Sequence, residues 1–200
     1  MLLDNKRLIV LEEFLQDFNK KLIGSSIAKN KKLNQKSVSN ILNEFEKLNL
    51  LKSKTEGKNR CYFLNIKNET LLIPFLSLLE HLKTIEFYKR NSVIKEVASK
   101  ILKSCEGIVI LFGSYAKGIE KKESDLDILI IGKYNKNKIE EVSELYGLEI
   151  DVKNYSFEIF TESLKKTDFL INEVFKDHII LKGSEDFISR RLLYETNKFK

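Results

Sequence analysis

Two short runs of aliphatic and β-branched residues constrain this chain more than any other feature. They are Gly107-Ile108-Val109-Ile110-Leu111-Phe112 and Asp125-Leu126-Asp127-Ile128-Leu129-Ile130-Ile131. Each has the length and composition of a buried strand and is closed by a glycine, at Gly113 and Gly132. A third apolar run, Leu148-Glu149-Ile150-Asp151-Val152, follows a polar, helix-like stretch around Lys138–Tyr146. Most other apolar residues recur at helical spacing, so the chain reads as α+β.

The acids inside these runs carry the chemistry. Asp125 and Asp127 stand two apart on a predicted strand, which sends both carboxylates to one face while Leu126 and Ile128 pack behind them. Two adjacent carboxylates repel, and keeping both ionised is costly unless a cation lies between them. Oxygen ligands of this kind suit Mg²⁺, which takes one or two protein carboxylates plus phosphate oxygens. Asp151, at a similar depth on the third run, is placed to complete the cluster. Gly113-Ser114 ends a strand and opens a helix, where free amides and the helix dipole favour a phosphate. A phosphate cradle facing three carboxylates is equipment for nucleotidyl transfer.

Gly113-Ser114, ten residues, then Asp125-x-Asp127, followed by Asp151, resembles the signature of the DNA polymerase beta-like nucleotidyltransferase superfamily, and most closely its minimal branch. The resemblance spans about residues 91–186 and includes Phe175-Lys176-Asp177-His178-Ile179-Ile180-Leu181-Lys182-Gly183 as a last strand. It implies a small mixed sheet with flanking helices that binds Mg²⁺ and a nucleoside triphosphate. By that analogy Asp125 and Asp127 hold metal that bridges the triphosphate. Asp151 binds metal near the acceptor hydroxyl and helps remove its proton, while Gly113 and Ser114 contact the phosphates. Lys117 stands where many relatives carry a basic residue and adds a phosphate contact. Such proteins often adenylylate HEPN-type toxins as their antitoxins, which makes a HEPN-type protein an expected acceptor.

The formal net charge of +6 is uneven. Residues 1–66 hold 13 Lys/Arg against 7 Asp/Glu, whereas residues 67–200 hold 22 of each. The surplus therefore belongs to the first third of the chain and points to a polyanionic partner there. Leu8, Leu11, Phe14, Leu15 and Phe18 predict a first helix, and Ser25-Ser26-Ile27-Ala28 a short second one with a serine cap. Asn34 is placed to cap a third helix whose apolar stripe is Val38, Ile41, Leu42, Phe45 and Leu48. Its other face carries Gln35, Lys36, Ser39, Asn40 and Asn43, residue types that contact bases and phosphates. Two strand-like runs around Glu56-Gly57-Lys58-Asn59 predict a hairpin bearing Lys52, Lys54, Lys58 and Arg60. Three helices and a basic hairpin over residues 7–65 resemble a winged helix-turn-helix. The resemblance implies duplex DNA as partner, with the third helix in the major groove and Lys58 and Arg60 on the wing.

Between these parts, residues 67–90 form a predicted helical connector, with helices near 69–88 and 91–104. Leu71, Leu72, Phe75, Leu78, Leu79 and Leu82 form one wide apolar stripe, continued by Ile85, Phe87, Val93, Ile94, Val97, Ala98 and Ile101. So broad a face requires a partner, either within the chain or on a second protomer of a homodimer. The expected domains are residues 1–66, 67–90 and 91–200. Two lone cysteines, Cys61 and Cys105, are too few for a disulfide framework. The longest apolar stretch, Leu71–Leu79, falls short of a membrane span, and Met1–Phe14 lacks the pattern of a signal peptide. A cytoplasmic location is expected. Three functions follow: an active nucleotidyltransferase, a DNA-binding regulator whose transferase-like domain senses nucleotide or dimerises, and an antibiotic-modifying transferase, which the basic N-terminal module disfavours.

Overall fold

The computed structural model describes residues 4–166 and 168–197 and divides into two compact units, residues 1–79 with 191–200 and residues 80–190. The first unit opens with α1 (Asn5–Glu12), capped by Asp4, whose side chain accepts from the Arg7 N–H at 2.9 Å. The sequence periodicity runs on through Phe14, Leu15 and Phe18, and all three are buried, but the helix has already ended. Phe14 and Leu15 instead close four-residue turns, their N–H groups donating to the Leu11 and Glu12 carbonyls. The carbonyls of Leu15 and Gln16 accept from the buried Arg191 guanidinium at 3.0 and 2.7 Å. Arg191 therefore serves packing inside this unit.

A two-residue strand, β1 (Leu22–Ile23), precedes α2 (Gly24–Asn30). Pairing with β3 keeps Ile23 extended, so Ile23 takes the cap position, no side chain caps α2, and Ser25 and Ser26 lie inside its first turn. In α3 (Gln35–Lys47) the Asn34 side chain accepts from the Ser37 N–H at 3.1 Å, the predicted cap. Val38, Ile41, Leu42 and Phe45 are buried as the stripe requires, while Leu48 lies past the helix end and is exposed. The strands β2 (Leu51–Glu56) and β3 (Asn59–Leu64) pair from Leu51↔Leu64 to Glu56↔Asn59, leaving Gly57-Lys58 as a two-residue turn with Gly57 at φ +61°. The sheet order is β1-β3-β2.

The predicted connector is one helix, α4 (Glu69–Arg90), with Pro74 inside it near the start. Next come α5 (Ser92–Ile101) and β4 (Cys105–Leu111), then α6 (Gly113–Lys117) and β5 (Leu126–Tyr134). These are followed by α7 (Lys136–Tyr146), β6 (Ile150–Tyr155), α8 (Phe157–Lys166), α9 (Phe169–Lys176), β7 (Ile179–Lys182) and α10 (Ser184–Asn197). The second unit holds a four-stranded sheet, β6-β5-β4-β7, in which β5 and β6 are parallel and the other neighbours antiparallel. It is the expected mixed sheet. Ile108–Leu111 and Ile128–Ile131 are fully buried, with both faces covered, so these strands read as continuous apolar runs. Ile94, Val97 and Ile101 pack with them in one core, while Ile85 and Val93, assigned to the apolar stripe from sequence, are exposed. No described helix is long and apolar enough to cross a membrane.

Candidate active site

The site lies where β4 ends and β5 begins. The Phe112 N–H bonds the Asp127 carbonyl at 3.0 Å, and the chain then turns at Gly113, φ +71°, into α6. A side chain cannot be accommodated there. A Cβ on Gly113 would stand 1.9 Å from Asp127 Oδ2 and 2.8 Å from its Cγ. The turn backbone and the Asp127 carboxylate are therefore in direct contact, which only glycine permits. Ser114, half-buried, follows in the first turn, whose amides have no intrahelical acceptor. Because α6 is five residues long, the helix dipole invoked from sequence adds little, and any anion here is held by those amides and the Ser114 hydroxyl.

Strand pairing supplies the second acid. In the parallel register Asp127 stands opposite Asp151, so both side chains share one face of the sheet. Asp125 arrives differently from the sequence expectation. The β5 ladder starts at Leu126, whose N–H bonds Glu149 O at 2.8 Å, so Asp125 is an exposed loop residue and does not share a strand face with Asp127. Its charge still reaches the site. Burial pushes the Asp127 carboxyl above the ordinary carboxylate range, and the charges of Asp151 and Asp125 push it further the same way.

Lys153, two residues along β6 from Asp151, places its Nζ 2.9 Å from Asp151 Oδ2 and 3.3 Å from Oδ1. The hydrogen bond to Asp151 and the charges of Asp151 and Asp127 raise the lysine's pKa. Among the described residues no group of three or more His, Cys, Asp or Glu side chains is arranged to hold a metal ion. The expected three-carboxylate cluster is thus not drawn together as a closed ligand set. Like charges repel, and Lys153 supplies the counter-charge for Asp151. What stands at the Gly113 turn is an open, oxygen-only set, the donor type that hard divalent cations complete with phosphate oxygens and water.

Residues 90–181 match the family model of the nucleotidyltransferase domain. This segment is similar to nucleotidyltransferase domains. The match contains the Gly113 turn and all three acids and leaves residues 1–89 outside it. The chain is also 43% identical over 63 residues to a Methanocaldococcus jannaschii protein named as a protein adenylyltransferase, an alignment covering 29% of this chain and 64% of the relative's length. It thus spans just under two thirds of that relative. A solved toxin–antitoxin complex with AMP-PNP is similar at 18% identity and a TM-score of 0.35, over 55% of this chain and 87% of that one.

Within the matched segment, Lys117 on α6 lies 3.4 Å from Glu173 of α9. Glu173 is a third acid acting on Asp127, and its charge also pushes that carboxyl up. Neither Lys153 nor Glu173 emerged from the sequence. The Asp151-x-Lys153 alternation carried a usable signal for the first, whereas nothing local links Glu173 to Lys117.

In the first unit, Gln35, Lys36, Ser39, Asn40 and Lys58 are exposed. Asn43 and Arg60, assigned with them, are engaged inside the unit. Arg60 bonds Ser53 Oγ at 2.9 Å and pairs with Glu46 at 2.5 Å, and Tyr62 donates to Asn43 Oδ1 at 2.9 Å. This network ties the hairpin to α3.

Proposed function

We propose that the nucleotidyltransferase domain moves AMP from ATP onto a hydroxyl of an acceptor protein, with Mg²⁺ as cofactor. The observation that carries this reading is the Asp127 carboxylate held against the Gly113 turn with Asp151 opposite it. The relative named as a protein adenylyltransferase supports adenylate as the group and protein as the acceptor. Asp125, Asp127 and Asp151 are the residues that would hold the metal, which when bound neutralises the phosphate oxygens. Ser114 and the amides around Gly113 bind the triphosphate, with Lys117 at their edge. The acceptor oxygen bonds the α-phosphorus as the bond to pyrophosphate breaks, and Asp151 takes the hydroxyl proton. Lys153 holds the Asp151 carboxylate in position. On the motif resemblance, a HEPN-type protein is the acceptor class to test first.

For the first unit we propose a winged helix-turn-helix that binds duplex DNA. The helix order, the basic surplus of residues 1–66 and the exposed face of Gln35, Lys36, Ser39 and Asn40 support it, with Lys58 at the hairpin tip.

The test incubates the protein with radiolabelled ATP, Mg²⁺ and lysate of its own organism, alongside Asp127→Ala. Label on a protein band that disappears in the variant is the expected result. ATP binding without transfer to any component would reassign the domain to nucleotide sensing.

A further inference from the structure

The first unit contains a cavity that neither nucleotide transfer nor DNA contact uses. Its volume is about 390 Å³, within the range of roughly 300–1,000 Å³ typical of small-molecule sites. Phe18, Phe63, Leu64 and Ile66 form its apolar wall, and Lys21, Lys52 and Lys67 stand at its rim. The sheet dictates this pairing of chemistries. Lys52 is the register partner of Phe63, so the two side chains rise from the same face of the hairpin. Leu22 pairs with Tyr62, which sets Lys21, one residue earlier, beside Phe63 from the other side. Phe63 is thus flanked on the sheet by two lysines, and Lys67 adds a third to the cavity lining.

The charge is not cancelled in place. Lys21 pairs with Glu56 at 2.6 Å, while Lys52 and Lys67 make no ion pair among the described residues. An apolar hollow rimmed by two unmatched cations complements one kind of ligand: an apolar body that ends in an anion. A phosphodiester backbone lacks the apolar body, and a neutral hydrocarbon gains nothing from the lysines. We propose that this cavity binds a small organic monocarboxylate with an apolar chain or ring. The carboxylate sits between Lys52 and Lys67, and the body lies against Phe18, Phe63 and Ile66. This site is independent of the nucleotidyl-transfer reading.

The test uses the full chain and 8-anilinonaphthalene-1-sulfonate, an apolar anion whose fluorescence reports entry, displaced by decanoate or by decanol. Decanoate is expected to displace the probe at a concentration at least ten times lower than decanol. Lys52→Gln with Lys67→Gln should erase that preference and leave decanol unchanged, with an unaltered circular dichroism spectrum. Both residues are exposed, so the double variant is expected to fold. Equal displacement by the two compounds overturns the proposal. So does displacement by phosphatidylglycerol vesicles in the absence of any effect of decanoate, and so does a decanoate preference that survives in the double variant.

Discussion

Glu80 is buried and Asp127 half-buried within the second unit, and their environments oppose each other. Burial would push each carboxyl up. At Glu80 the charge and hydrogen bond of His178, with help from Lys83, overcome burial and hold the group at about 2. His178 presents one ring nitrogen to Glu80 Oε1 at 3.1 Å and the other to Val174 O at 2.6 Å. Both ring nitrogens are thus engaged by oxygen partners, which fixes the orientation of the ring against Glu80. Around Asp127 the charges of Asp151, Asp125 and Glu173 add to burial, and the charge of Lys153 opposes them. A buried acid with its counter-charge built in is a structural element. One surrounded by further acids is the arrangement that the proposed metal ion would neutralise.

Substituting each acid separates the two roles. Asp127→Asn is expected to cut nucleotide transfer by about 10⁴-fold, ~5 kcal/mol of transition-state stabilisation, in single-turnover label transfer. The same variant should melt no lower than the parent at pH 7. A carboxyl raised in the folded state contributes stability only below its ordinary pKa and loses it as pH rises through the raised value, so removing the charge relieves a cost. A variant that unfolds instead would place Asp127 with Glu80 as a structural acid.

Glu80→Gln reverses this pattern. It removes the carboxylate that faces the buried His178 ring and Lys83 and should lower stability by about 3–5 kcal/mol in urea titration. The depressed Glu80 carboxyl contributes stability that is fully present above its ordinary pKa of 4.5 and is lost as pH falls toward about 2. The parent should therefore weaken over that window and Glu80→Gln should weaken less. Identical acid profiles would remove the pair from the stability argument.

Gly113→Ala tests the contact that keeps Asp127 in place. The new Cβ would collide with Asp127 Oδ2 and require a left-handed backbone, so the carboxylate must move. Transfer should fall about 10²-fold, as a displacement near 1 Å at a reacting group does. Full activity would break the proposed geometry.

The smallest effects belong to the first unit, where Arg60 and Glu46 form a matched pair on the surface. Arg60→Ala should cost under about 1 kcal/mol in stability. Lys36→Ala should reduce the salt slope of duplex DNA binding by about 1, measured by fluorescence anisotropy. Binding that does not change with salt would remove the DNA reading, because counterion release must accompany phosphate contact.

Much of the second unit was legible along the chain because its signals are local. A continuous aliphatic run states that a strand is covered on both faces, as Ile128–Ile131 are. The Gly113-Ser114 step and the Asp125-x-Asp127 spacing were visible without any fold, as was the Asn34 cap of α3. Local periodicity misled where distant groups intervened. Phe14, Leu15 and Phe18 kept helical spacing past the end of α1, and Arg191, far along the chain, accounts for two of the carbonyls left there.

The amino-acid order by itself determined the hairpin β2–β3, the strands β4 to β6, the glycine turn, the third helix with its cap, and the confinement of excess positive charge to residues 1–66. Each follows from neighbours within a few residues, whose spacing fixes which side chains share a face. Tertiary structure alone decided that Asp151 stands opposite Asp127, that Lys153 rather than a third carboxylate answers Asp151, and that Glu80 meets His178. Those meetings depend on parallel strand register and on helices packed from distant parts of the chain, and register is set by how whole faces bury together.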